Sequence, residues 1–385
     1  MALNVVSSDR LSTNVKTSNL ATGLSSKVGE SKNLVINGAM QVAQRGTSST
    51  STGYQTVDRI TMYHGGTDEA PTYSQADVAS GTTPYTLGFR KCFKVTNGNQ
   101  TSGAGAGDEI QLDYKIEAQD IASSGWNYTS ASSYITLSFW AKSSVAQEFK
   151  GHIISKDGTS QNYPFSLGSL SADTWTKITK KIPGNSNLQF DSDNGEGLKL
   201  NIFNQMGTNF TGSVAENTWA AFSASTRTPD QTLTWYTTND ATFEITGFQV
   251  EVGDTATEFE HRSYGDDLAR CQRYCYEHFL GANQYASVML GGYYNSSRIY
   301  GSFKFPVTMR TAPTMVCTDI ADGFNCYRDG NVDFVNEFHI DSANNVGPNA
   351  AEILNDTDAS GTGGWATIIR RGSSSTVTFR FEAEL

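Results

Sequence analysis

Carboxylates and loop aromatics are the side chains of this sequence whose types and spacing could do chemistry. Three carboxylate groupings stand out: Asp108 with Glu109, Asp266 with Asp267, and Asp191, Asp193 and Glu196 in the polar turn Asp-Ser-Asp-Asn-Gly-Glu-Gly. A carboxylate pair is the minimum equipment for glycoside hydrolysis. The first pair falls at an apparent strand start and the second at a helix start, where structural roles are common. The third is a calcium candidate, although it lacks the remaining ligand positions of an EF-hand loop. The five histidines (His64, His152, His261, His278 and His339) are scattered and pair with no obvious nucleophile. Nucleophile elbows, phosphate-binding loops, dinucleotide fingerprints and zinc-binding helices are absent from the sequence. Gly103, Gly105 and Gly107 lack the spacing of a phosphate loop. No catalytic residue and no cofactor is expected.

The aromatics suggest binding instead. Sugar rings present C–H faces that stack on Trp and Tyr, while nearby amides and carboxylates take the hydroxyls. Trp126 and Tyr128 sit in the turn-like SSGWNYTS. Tyr293 and Tyr294 follow Gly291-Gly292, Tyr327 lies in NCYRDGN, and Trp365 follows Gly363-Gly364. These six are the candidate glycan contacts; the same residue types also pack subunits together. Trp140, Trp175 and Trp235 fall in strand-like runs and read as core or sheet-face residues.

These side chains must be positioned by strands. Ile135, Leu137, Phe139 and Ala141 alternate with polar or outward residues, as do Leu198, Leu200 and Ile202. Phe243 and Ile245 begin one phase, and after Gly247 the apolar set moves to Phe248, Val250 and Val252, which predicts a β-bulge. The final run, Val377, Phe379, Phe381, Ala383 and Leu385, is a paired and covered strand. Residues 263–279 read as a connecting helix, with Asp266 and Asp267 near its positive end and Leu268, Cys271 and Cys275 on one face. The expected fold is all-β: an antiparallel, jelly-roll-like sandwich over 33–262, the helix, and a smaller β-sandwich over 280–385. Residues 1–32 carry a sparse apolar stripe (Leu11, Val15, Leu20, Leu24, Val28) suited to anchoring or trimerisation.

Composition narrows the function classes. The chain has 385 residues, a net charge of −11 and no basic cluster, which argues against a nucleic-acid partner. No apolar run approaches the ~20 residues needed for a membrane-spanning helix, and the first residues do not form a secretion signal. Cys92, Cys271, Cys275, Cys317 and Cys326 match no zinc spacing and read as reduced thiols.

Three sets of segments also resemble a known family. Residues 33–40 (NLVINGAM), Gln44-Arg45-Gly46 and Val57-Asp58-Arg59 resemble the opening of carbohydrate-binding-module-like jelly rolls in bacteriophage virion proteins. Leu137–Lys142, Trp175-Thr176-Lys177 and Ile245–Glu260 continue the similarity. Cys271-Gln272-Arg273-Tyr274, Phe305–Thr314 and Glu384-Leu385 resemble the distal regions of phage tail fibres. The resemblance implies a homotrimeric virion appendage, assembled in the host cytoplasm. It would be held to other tail or capsid proteins by its first segment and would bind host-surface polysaccharide without catalysis. Alternatives are a capsid-decorating or tail-connecting protein, and a polysaccharide depolymerase.

Overall fold

A computed structural model describes residues 32–280, 285–342, 345–373 and 377–385. The proposed anchoring stripe lies outside them. The first domain contains β1 Ser48–Ser49, β2 Ile60–Gly65, β3 Thr72–Asp77, β4 Lys91–Thr96, β5 Glu109–Glu117, β6 Tyr134–Ser143, β7 Gln147–Ser155, β8 Gln161–Leu170, β9 Thr176–Pro183, β10 Glu196–Met206, β11 Ala220–Ala221 and β12 Thr242–Val252. They form two antiparallel six-stranded sheets, ordered β1-β3-β4-β12-β6-β9 and β11-β8-β7-β10-β5-β2. The expected alternation is present: Leu137, Phe139, Ile202, Ile245 and their neighbours fill the core between the sheets. Two short helices, α1 Thr83–Thr86 and α2 Ala118–Ala122, are inserted.

The phase change at Gly247 is a bulge. The β12–β6 register slips between Thr246 and Gln249, and Gly247 has φ +66°. The bulge is held by the NLVINGAM segment. Asn33 Nδ2 donates to Phe248 O at 3.1 Å, and Phe248 N donates to Gly38 O at 2.9 Å. A Cβ on Gly38 would stand 2.1 Å from Phe248 O, so only glycine allows this approach.

The outward face of the second sheet is closed by the chain itself. Segment 207–241 folds back over it, with Arg227 O accepting from Asn162 Nδ2 (2.8 Å) and Glu216 paired with Lys150 (2.8 Å). Beneath lies a buried polar row in which Asn201 donates to Asp113 and bonds His152 Nε2 at 3.0 Å. Burial, with Lys199 and Arg227 nearby, pushes the His152 pKa down to about 3.

The connecting helix is shorter than expected. α3 covers Tyr264–Gln272, capped by Ser263, whose Oγ accepts from Asp266 N at 3.1 Å. Cys275 is not on its face: Cys275–Glu277 is a strand, β13, paired with the last strand. The i, i+4 spacing suggested one helical face, but hydrogen bonding to a distant strand captured the second cysteine. Helix and strand pack against the first domain.

The second domain contains β14 Ser287–Asn295, β15 Arg298–Lys304, β16 Thr314–Cys317, β17 Phe324–Arg328, β18 Asn331–Val335, β19 His339–Ile340, β20 Ala350–Asn355, β21 Ala366–Arg371 and β22 Phe379–Glu382. A three-stranded sheet, β13-β22-β16, faces a seven-stranded one, β18-β17-β21-β14-β15-β20-β19. Phe303, Phe305, Phe324, Phe379 and Phe381 form the aromatic centre between them.

The two domains are clasped by residues of the resembling segments. Arg59, 1% exposed, pairs with Glu384, donates to Lys115 O at 2.8 Å and stacks 3.5 Å from the Tyr274 ring centroid. Arg45 reaches Glu382 (3.0 Å) and Glu384 (3.2 Å). Glu117 accepts both Nε and Nη2 of Arg273 at 2.8 Å, and the Tyr274 hydroxyl as well. Arg310 donates to Ala383 O (2.7 Å), Glu384 O (2.6 Å) and Asn194 O (2.8 Å). These motif residues therefore fix domain geometry.

A buried carboxyl beside the clasp titrates above the usual carboxylate range. Burial raises the Asp58 carboxyl to about 6, against the pull of Arg45 and of hydrogen bonds from Gln44. Its native pKa exceeds the unfolded value, so the folded state takes up a proton between about pH 4 and 6 and gains stability as pH falls through that window. From pH 7 to 5 the parent chain gains about 1 kcal/mol relative to Asp58→Asn. Denaturant titrations of both proteins at the two pH values check this; parallel shifts would refute it.

Candidate glycan-binding groove

Four of the six aromatic candidates gather around one sheet face. In β14 the side chains of Leu290 and Tyr294 point outward with Gly292 between them, while those of Met289 and Tyr293 point into the core on either side of Gly291. Across the strands Gly292 pairs with Tyr300, and Tyr300 with Leu354; the adjacent row runs from Ser302 to Glu352. Glycine at 292 leaves the row low, and an open groove of about 520 Å³ forms there. Gly292, Tyr293, Tyr294, Tyr300, Asp341 and Glu352 line it. Tyr294 is 73% exposed, and its ring meets that of Tyr300 edge-on, centroids 5.7 Å apart. Glu352 is exposed; Asp341 Oδ2 accepts from Asn345 Nδ2 at 2.5 Å. The groove thus combines an accessible ring face with hydroxyl acceptors, the elements a sugar needs.

A second groove of about 590 Å³ lies across β14 on the same face. Its floor is the cross-strand row Leu290–Ile368–Tyr327–Val332. Leu290 is 73% and Ile368 40% exposed. Arg370 stacks 4.9 Å from the Tyr327 ring. This floor is mostly aliphatic.

The other candidates differ. Tyr293 borders the first groove but is only 2% exposed. Its ring is buried, its hydroxyl donates to Asp333 Oδ2 at 2.9 Å, and a Cβ on Gly361 would strike the ring at 2.2 Å. Trp365 is half-buried, and the Arg328 guanidinium lies 5.3 Å from its ring and 5.1 Å from that of Tyr293. These two residues build the wall behind the face. Trp126 and Tyr128 belong to the first domain. Trp126 is 3% exposed, and both rings pack on Phe190, 6.2 and 4.9 Å between centroids. The Gly/Ser-rich turn suggested exposure, but the indole turns inward and plugs the sandwich. Trp126→Ala should cost about 3–5 kcal/mol of stability; thermal and denaturant unfolding measure this, and a loss under ~1 kcal/mol would contradict a core role.

The calcium candidates do not converge. Glu196 pairs with Lys115 at 3.4 Å, Asp193 caps its own turn by accepting from Gly195 N at 2.9 Å, and Asp191 accepts from Gln189 at 3.1 Å. Among the described residues no group of three or more His, Cys, Asp or Glu side chains is placed to hold a metal ion. Four cysteines are buried free thiols and Cys317 is half-buried. No described helix is long and apolar enough to cross a membrane.

Sequence reasoning missed Tyr300, Asp341 and Glu352. Tyr300 was legible as the outward phase of β15. The carboxylates were not, because they enter the groove from strands 40 and more residues away.

No family model and no curated protein matches the chain. Among solved structures, the enzymatically active domain of tailspike protein 4 of bacteriophage CBA120 aligns at TM-score 0.33 and 12% identity, over 58% of this chain but only 22% of that one. A family 11 carbohydrate-binding module from Clostridium thermocellum, in complex with a β-1,3-1,4-mixed-linked tetrasaccharide, aligns at TM-score 0.25 and 13% identity, over 56% of this chain and 98% of that one. A module in complex with β-1,4-galactotriose, TmCBM61, aligns at 0.26 and 7%, over 58% and 100%. These scores are too low to transfer a function. The class defined by the coordinates is a two-domain antiparallel β-sandwich protein.

Proposed function

We propose that this chain is a non-enzymatic bacteriophage virion appendage that attaches to host-surface glycan as a homotrimer. The observation that carries glycan binding is the Tyr294–Tyr300 groove, with an exposed ring, an edge-on partner and two carboxylate acceptors on a rigid sheet. The virion role rests on the resemblance of the ordered motifs. Its clasp gives those motifs a physical purpose: it fixes the grooved domain relative to the sandwich. A shallow, open groove binds weakly by itself, and three on one particle compensate through effective concentration. The aliphatic floor of the second groove supports burial between subunits. Glycan-array and whole-cell binding by the purified protein test attachment. Sedimentation tests the assembly: a mass near three times 41.7 kDa is expected, and a clean monomer would sink the trimer.

One observation favours a second reading. Asp341 and Glu352 are two carboxylates in a sugar-sized groove, which is also the minimum of a depolymerase. Reducing-end release from host polysaccharide that is lost in Glu352→Gln would establish that reading; none is expected.

A further inference from the structure

We propose that the Tyr294–Tyr300 groove selects glycans carrying free amino groups, such as de-N-acetylated hexosamine chains, and discriminates against uronic, sialic and sulfated ones. This deepens the glycan reading and rests on it.

The inference comes from what the groove holds and what it lacks. Among the described residues its lining contains two carboxylates, Asp341 and Glu352, and no Lys, Arg or His. Of the cations along the same strands, Lys304 ends β15 outside the groove lining, and two others are already engaged. Arg298, two residues from Tyr300 on β15, pairs with Asp356 at 3.2 Å, and His339, opposite Leu354 on β19, lies 3.6 Å from the same carboxylate. Asp341 takes one hydrogen bond from Asn345, an amide that leaves its charge uncompensated. Among the described residues the Glu352 side chain has no hydrogen-bond or ion-pair partner, and it is exposed beside the ring pair. An ammonium on a sugar stacked against Tyr294 would therefore meet an aromatic face and two carboxylates, all of which attract cations. A sugar carboxylate or sulfate in the same place would meet like charge.

The adjacent groove sharpens the contrast. It carries Arg328 and the Tyr327–Arg370 stack beside Asp329. Negative charge is thus concentrated on one side of β14. Whole-protein charge points the same way, since a net −11 opposes approach of polyanions at low salt.

The test compares three oligosaccharides of equal length on the full chain: chitohexaose, its de-N-acetylated counterpart and a hyaluronan hexamer. Titration calorimetry or ligand-observed NMR at low salt reads the order. The amine-bearing chain should bind about fivefold to tenfold more tightly than chitohexaose, and hyaluronan more weakly than either. The preference should shrink at high ionic strength, where exposed charges are screened. Glu352→Gln, and separately Asp341→Asn, should each reduce the ratio of amine-bearing to N-acetylated affinity, and the double variant should bring it near one. A preference that survives in the double variant overturns the inference. Tightest binding of hyaluronan overturns it too while leaving glycan binding intact. Failure of all three sugars removes both the inference and the reading beneath it.

Discussion

Arg59→Ala should lower the unfolding free energy by roughly 3–5 kcal/mol, the range for breaking one side of a buried ion pair. The guanidinium is almost wholly buried, and its loss strips Glu384 of one partner, Lys115 O of a donor and Tyr274 of a stacked cation. Arg45 stays 3.2 Å from Glu384 and limits the damage. Glu384→Gln should cost less than Arg59→Ala, because the amide keeps the shape and still accepts from an arginine. The double variant should cost less than the sum of the two, since both remove one interaction. Because the clasp joins the domains, limited proteolysis should cut first near 263–280 in the variant. Denaturant unfolding with the double-mutant cycle measures all of this; a single-variant loss below ~1 kcal/mol would show that the domains are held by other contacts.

Tyr294→Ala should leave stability within ~0.5 kcal/mol of the parent, as expected for an exposed position away from the core. Its effect belongs to binding. Losing a stacked ring costs roughly 1.4 kcal/mol, about tenfold, at a single site. On a trimer the losses compound, and attachment to cells should fall by about 10²-fold or more. Tyr300→Ala should act in the same direction and less strongly, because that ring is half-buried and supports its neighbour. Tyr293→Ala is the contrasting control. It should destabilise the domain by about 3–5 kcal/mol, as large-to-small core changes do, since it empties the space around Gly361 and removes one of the donors to Asp333. Cell-binding and melting curves for the three variants separate the roles. Undiminished attachment by a folded Tyr294→Ala protein would move the receptor site elsewhere.

Periodicity made the strands legible. Ile135–Ala141, Leu198–Ile202 and Phe379–Ala383 alternate with period two because one face of each enters an apolar core, and the structure places them so. The slip at Gly247 was legible for the same reason: a bulge shifts the apolar phase, and glycine supplies the positive φ. Loop aromatics were harder. Trp126 and Tyr294 both lie within two residues of a glycine, yet one fills a core and the other faces solvent. Local composition reports where the chain turns; it does not report which way a ring points after the turn.

The sequence by itself determined the all-β class, the phase of the long strands and the aromatic character of the second domain. These depend on neighbours close along the chain. Tertiary structure alone decided that Tyr293 is wall and Tyr294 is groove, because the pairing of β14 with β15 and β21 sets which side of the strand meets the core. It alone joined Arg59 to Glu384, 325 residues apart, and brought Asp341 and Glu352 to Tyr294. Charge pairing and groove formation are properties of proximity in space, and no spacing rule along a chain encodes partners that meet only when two sheets close.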